Sequence, residues 1–360
     1  MYLNVNKRIF VLMKEVDYIV VGLGLAGLAF TRELEKNNKS FIVFDNDSQQ
    51  SSKVAGGMYN PVILKRFTPV WDATNQLKIA LPFYQDLEKL LGNKYDIPLD
   101  IGRLLTSVEE QNNWFATCDH PALSEYMIPE IDYTQYKGIN SPFGYGKLKN
   151  TGRVHTELLL ADYKNYLINK QQFIEESFEY NSIDIQQGKV VYKNFEATKI
   201  VFCEGYGIKQ NPFFNYLPLN EAKGELLTIE SSDLKIDFVL KSGVFILPLG
   251  EQKYLIGATF NWKDKTNMPT KEGKNVLVEK LNKIIDVPYK IVNHVAGIRP
   301  TVIDRRPLVG KHPEYQNLVI LNGLGTRGVM IAPTVSKELY NHLEKDEELR
   351  KEINISRFNA

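Results

Sequence analysis

Cysteine is almost absent from this chain. Its 360 residues include only two, Cys118 and Cys203, far apart and without metal-ligand spacing. That excludes a disulfide framework and a thiolate zinc site, and it agrees with a reducing cytoplasm. An excess of one charge is missing too: 44 Lys and Arg face 43 Asp and Glu, a formal net charge of +1. Such a balance gives no global reason to expect nucleic acid as a partner. No apolar run approaches the roughly 20 residues that cross a bilayer, so no membrane association is expected. The five histidines lack a metal spacing such as H-x-x-x-H, and no metal is expected. Internal repeats, low-complexity tracts and flexible linkers are also missing. With 43% hydrophobic residues the chain can bury a substantial core. Its length suits two intimately connected domains better than one small one.

The first residues need a separate reading. Lys7 and Arg8 precede Ile9-Phe10-Val11-Leu12-Met13. Five apolar residues are too few for a secretory signal, and no small-residue cleavage site follows. Residues 1–14 read as an extension, with Met13 as the expected start because the first folded element begins just after it.

What is present begins with a strand, a glycine turn, a helix and a second strand. Asp17-Tyr18-Ile19-Val20-Val21 is a short, nearly continuous apolar run, as in a buried parallel strand. Ala26, Phe30 and Leu34 then recur every four residues, giving a helix with one buried face. Ser40-Phe41-Ile42-Val43-Phe44 is the second strand, closing at Asp45. Between the first strand and the helix lies Gly22-Leu23-Gly24-Leu25-Ala26-Gly27, a G-x-G-x-x-G turn. Gly22 permits the tight turn, Gly24 lets backbone approach a pyrophosphate, and Gly27 allows close helix–strand packing. Leu25 and Ala26 open the helix whose free amides and dipole face the phosphates. Asp45 stands where a carboxylate accepts ribose hydroxyl protons. This much fits NAD or FAD equally.

Three further blocks decide for FAD and carry a family resemblance. Ala55-Gly56-Gly57-Met58-Tyr59-Asn60-Pro61 resembles the small-residue segment that lies along the flavin in the D-amino acid oxidase family. Gly297-Ile298-Arg299-Pro300-Thr301, with Asp304, Pro307 and Gly310, resembles that family's G-x-R-P stretch. Asn322-Gly323-Leu324-Gly325-Thr326-Arg327-Gly328 and Ala332-Pro333 resemble its C-terminal glycine turn and helix. The likeness covers nearly the whole chain from about residue 15.

The resemblance implies an FAD enzyme that oxidises the C–N bond of a small amine or amino acid by hydride transfer to flavin N5. It places Gly56, Gly57 and Asn60 along the flavin, and Gly325, Arg327 and Gly328 at its N1–O2 edge. It places Arg299 on the substrate carboxylate, where a guanidinium can bind bidentately; a salt bridge to Asp304 is the structural alternative. Cys203-Glu204-Gly205 departs from the family pattern at Glu204, so only Gly205 carries over. Tyr59, Tyr254 and Phe260 are candidates to shape an aromatic substrate site, against plain packing among 19 tyrosines. No cysteine lies downstream of Cys203, so noncovalent FAD is expected.

The C-terminal block is also similar to the oxidase half of the bifunctional enzyme that removes a carboxymethyl group from a tRNA wobble uridine. The neutral charge and the lack of a methyltransferase half weigh against that reading. A flavin-binding protein without turnover is the third possibility.

The expected architecture is α/β: a Rossmann-type FAD-binding part with a parallel sheet, and a substrate part built on a largely antiparallel sheet. Residues 15–70, 145–220 and 295–360 are assigned to the first, 71–144 and 221–294 to the second. Helices are expected over Leu77–Leu91, Leu158–Leu167 and about Gly328–Leu343. Strands are expected at 189–192, 199–202, 226–229, 239–247, 254–259 and 318–321.

Overall fold

The computed structural model describes residues 13–358. The extension and the question of the start therefore lie almost wholly outside the described residues. The first strand, β1, runs over Lys14–Val21, then helix α1 over Leu25–Lys36 and strand β2 over Phe41–Asp45. β1 is central because it is apolar on both faces: Tyr18, Ile19, Val20 and Val21 are all buried. It pairs in parallel with β2, Val21 opposite Phe44, and with the strand Phe195–Phe202, Val21 opposite Phe202. Phe195–Phe202 pairs in turn with Leu318–Asn322 in parallel, and its first half takes Lys189–Tyr192 antiparallel. Phe173–Glu175 joins β2 on the other side. The carboxyl ends of β1, β2 and Phe195–Phe202 thus share one edge, the place where open parallel sheets bind ligands.

A second eight-stranded sheet runs in the order Lys290–Arg299, Ala222–Glu230, Lys253–Gly257, Phe245–Gly250, Val239–Lys241, Ile101–Leu104, Tyr145–Leu148, Met127–Asp132. All its pairs are antiparallel except Val239–Lys241 with Ile101–Leu104. One face buries Leu227, Leu240, Ile246 and Ile256 against Leu277 and Leu281 of the helix Lys271–Asn282. The other face looks towards the first sheet.

Several expectations shift. The apolar stretch 239–247 is two strands, Val239–Lys241 and Phe245–Gly250, folded back on each other at Ser242–Val244. The helix expected from Leu77 starts at Ala73 and runs to Leu91 straight through Pro82. Pro82 is exposed, so water can take the carbonyl that its missing N–H leaves free. Helices Val108–Cys118 and Lys271–Asn282 stand where loops or strands were expected. Tyr145–Leu148 and most of Lys290–Arg299 pair in the second sheet, so the boundaries at 145 and 295 do not follow the sheets.

Candidate active site

The edge formed by the first sheet is shaped by missing side chains. Gly22 has φ +96°, and a Cβ there would lie 2.7 Å from the Cys203 carbonyl oxygen. A Cβ on Gly27 would lie 2.0 Å from the Gly22 oxygen, so helix and strand touch through backbone. Gly24 differs: the nearest atom to its Cβ would be Ser52 Oγ at 3.2 Å, and the residue faces a large cavity. Leu25 N, at the start of α1, donates to Ser52 Oγ at 3.3 Å. Asp45 ends β2 on the same cavity, its carboxyl raised above the usual range by burial. Glu204 follows the end of Phe195–Phe202. It accepts from Tyr180 OH at 2.5 Å and Asn211 Nδ2 at 2.8 Å, and burial pushes it up to about 7 against those two bonds. Beside it, Gly205 has φ +56° and open space where a side chain would be.

The cavity measures ≈ 1250 Å³, more than the roughly 300–1000 Å³ of an ordinary small-molecule site. Its far wall is one face of the second sheet, and strand parity selects the residues on it. Lys241 pairs with Phe245, Phe245 with Gly257, and Gly257 with Leu226. Two residues along, Gly224 pairs with Gly297, and Arg299 lies two beyond Gly297. All of these line the cavity.

Arg299 lies across Gly224, where a Cβ would come within 2.0 Å of the guanidinium. It donates to the Thr259 carbonyl at 3.3 Å and stacks under Phe260, 4.4 Å from the ring centroid. No carboxylate pairs with it among the described residues, and desolvation brings it down to about 10. Asp304, the alternative partner, binds Arg357 instead. Lys241 also lacks an acidic partner among the described residues. Its Nζ lies 4.7 Å from the Phe245 ring centroid, and burial with the nearby Arg327 charge brings it down to about 8.

The third side of the cavity is the start of the helix Gly328–Glu344, with Gly325, Thr326, Arg327 and Gly328 on the wall. Arg327 is lowered by desolvation first and by Arg305 second. Its charge and the helix N-terminus bring positive potential to the same spot. Gly56, Gly57 and Asn60 complete the lining. A Cβ on Gly57 would lie 1.9 Å from the Val154 oxygen, which locks this segment against the strand Gly152–Val154. Asn60 Oδ1 accepts from Val62 N at 2.8 Å and turns the chain.

Two sequence candidates face elsewhere. Tyr59 alternates with the cavity residue Met58; it lies across Gly152 and donates to Asp96 Oδ1 at 2.8 Å. Tyr254 has the parity of Ile256, so it points to the far face, where its hydroxyl donates to the Leu234 carbonyl. Neither lines the cavity, whereas Phe260 does. Sequence reading missed Ser52, Gly224 and Lys241. A lone lysine closing the apolar pair Val239-Leu240 was the only signal for the last.

The residues fit FAD. Gly24 and Gly205 leave backbone open to the cavity, Asp45 stands at the second strand end, and the helix-start cation would suit a ring that gains negative charge. Comparison with known proteins agrees. Residues 17–341 match the family described as FAD dependent oxidoreductase. Glycine oxidase of Bacillus subtilis is 23% identical, over 95% of this chain and 95% of its own length. The tRNA 5-methylaminomethyl-2-thiouridine biosynthesis bifunctional protein MnmC of Legionella pneumophila (strain Corby) is 21% identical over 91% of this chain. The chain spans about half of that relative's length, 54%. The crystal structure of glycine oxidase from Geobacillus kaustophilus superposes with a TM-score of 0.75 at 20% identity, covering 93% of this chain and 96% of that one. Glycine turn, acid-tipped second strand, cation-lined wall and a match over most of the sequence agree, and the chain belongs to the D-amino acid oxidase (DAO) family of FAD-dependent oxidoreductases.

Proposed function

We propose that this protein oxidises the C–N bond of a small amine that carries a carboxylate. The observation that carries the reading is Arg299: a desolvated guanidinium without a carboxylate partner among the described residues, held in the wall of the cofactor cavity. A partly desolvated cation left alone is costly, and a substrate carboxylate relieves it through paired, charge-assisted hydrogen bonds. FAD, when bound, accepts the hydride equivalent from the carbon next to the amine.

The chain supplies position and field. Arg299 fixes one end of the substrate, and Thr259 and Phe260 hold Arg299 in turn. Leu226 and Phe245 exclude water from the same wall. Arg327 and the N-terminus of Gly328–Glu344 stabilise negative charge that develops opposite them. Hydride loss requires the substrate amine to be neutral, so reaction accelerates as pH rises towards the amine's own pKa. The two buried free thiols fit a reducing cytoplasm.

The test is the visible spectrum of the purified protein under anaerobic addition of glycine, sarcosine, proline and D-amino acids. Bleaching of the flavin bands by a carboxylated amine is expected. A flavin spectrum that no small amine bleaches would overturn the proposal. Salt-sensitive retention of tRNA would then transfer the same chemistry to a carboxymethylamine carried on RNA.

A further inference from the structure

The charged groups that the two large sheets and the last helix bring to the cavity are sorted by end; Lys53, ion-paired with Asp47, and the exposed Lys65 line it from turns outside both sheets. Its acids, Asp45, Glu176, Glu179 and Glu204, lie at or just beyond strand ends of the first sheet. The second sheet's face and the helix start present only cations: Arg103, Lys241, Arg299 and Arg327. Arg103 is spoken for by Glu110, at 2.6 Å. Arg327 stands at the start of the helix that would hold the cofactor's developing negative charge. Arg299 and Lys241 remain, both in the wall and neither with a carboxylate among the described residues.

A substrate with one carboxylate would satisfy Arg299 and leave Lys241 desolvated and unpaired. The two residues stand four strands apart in the sheet, but each side chain meets the next strand inward. Arg299 covers Gly224, and Lys241 lies against the Phe245 ring. Two strand spacings of ~4.8 Å, with an offset of two residues or ~6.7 Å along the strand, then separate the charges by roughly 12 Å. A charge-assisted contact of ~3 Å at each end leaves about 6 Å between the anionic groups. That is the span of a short dicarboxylic amine. Between the two cations the wall is apolar: Leu226 and the Phe245 ring, which lies over Gly257, offer no hydrogen-bonding group to the carbons that bear the amine.

We propose that the cavity selects amines bearing two acidic groups, one held by Arg299 and the other by Lys241. This rests on the reading of the chain as an oxidoreductase of carboxylated amines and narrows its substrate class.

Two measurements on the FAD-loaded full chain test it. Calorimetry compares the unreactive dicarboxylates succinate and glutarate with acetate. At least tenfold tighter binding of a dicarboxylate is expected; Lys241→Met should erase that advantage and Lys241→Arg should keep most of it. Equal affinities in the native protein would overturn the proposal, as would a Lys241→Met variant that keeps the dicarboxylate advantage. Anaerobic flavin reduction then compares aspartate, glutamate and N-carboxymethylglycine with glycine and sarcosine. The two-acid amines should bleach the flavin at at least tenfold lower concentration. Bleaching by glycine and sarcosine alone would overturn the two-acid proposal and leave the oxidation of carboxylated amines standing. Bleaching by neither class would overturn both.

Discussion

The two walls of the cavity are made by opposite means. At the edge of the first sheet, side chains are withheld: Gly22, Gly24, Gly27 and Gly205 let backbone meet backbone or lie open to a ligand. On the second sheet, long side chains are supplied, and Arg299 and Lys241 reach across neighbouring strands over small or flat residues. The first design tolerates no added atom at Gly22 and Gly27, where backbone meets backbone. The second tolerates changes of shape but not of charge. A nucleotide is bound largely through backbone amides and dipole, which any sequence with the right turn provides. A small acid is recognised by specific cations, which must be placed one by one.

Breaking the first wall should have the largest effect. Gly27→Ala drives a Cβ into the Gly22 carbonyl at 2.0 Å, so no folded, flavin-coloured protein is expected on purification. Gly24→Ala is the contrast, because only Ser52 Oγ at 3.2 Å is near. It should fold with an unchanged far-ultraviolet spectrum and lose FAD affinity by tenfold or more in a fluorescence titration. Equal behaviour of the two variants would remove the distinction between packing glycine and cradle glycine.

Breaking the second wall should spare the flavin and damage substrate binding. Arg299→Ala should raise KM for carboxylated amines at least tenfold, the loss of about 1.4 kcal/mol or more. Gly224→Ala should reproduce much of that loss with Arg299 still present, since its Cβ would sit 2.0–2.4 Å from the guanidinium. An unchanged KM in Gly224→Ala would mean that the arginine does not work from above that glycine. Binding of two-acid ligands should also weaken as pH rises through about 8. Lys241 is charged below its pKa, and burial has brought that pKa down from 10.5.

Glu204 allows a finer comparison, because it is a carboxyl built into the first wall. Its folded pKa of about 7 exceeds the 4.5 of a free side chain. The folded state therefore holds the proton more tightly, and stability falls as pH rises from about 4.5 to about 7. Glu204→Gln should flatten that part of the stability profile and stabilise the protein at pH 8 by an amount on the order of 1–3 kcal/mol, read by thermal unfolding. The smallest effect belongs to Tyr254→Phe. Losing its bond to the Leu234 carbonyl should cost about 1 kcal/mol of stability and leave KM where it was. A changed KM would bring Tyr254 back to the site.

The first wall was legible because its logic is local. A strand, G-x-G-x-x-G, a helix and Asp45 lie within a few dozen residues, and backbone contacts leave no space for a side chain at Gly22 and Gly27. Some local signals were overlooked. Ser107-Val108-Glu109-Glu110 has the S-x-x-E spacing of a helix start, and Ser107 Oγ does accept from Glu110 N at 3.1 Å. Thr270 caps Lys271–Asn282 in the same way. Tyr59 and Tyr254 looked equal to Phe260 as site residues because composition does not carry parity; the strand register sends both tyrosines away.

By itself, then, the sequence determined the β1–α1–β2 unit, the glycine turn and the acid at the second strand end, while the family resemblance rather than local geometry singled out Arg299 and Arg327 and chose FAD over NAD. The unit, the turn and the acid each depend on neighbours within one turn or one strand, where backbone geometry leaves few choices. Tertiary structure alone decided that Lys241 and Arg299 face one cavity, that Gly224 clears the space for Arg299, and that Asp304 is occupied elsewhere. Those facts depend on which strands align and in what register. Side chains in a sheet alternate between faces, so a shift of one residue in the pairing would have turned the same lysine into the hydrophobic core.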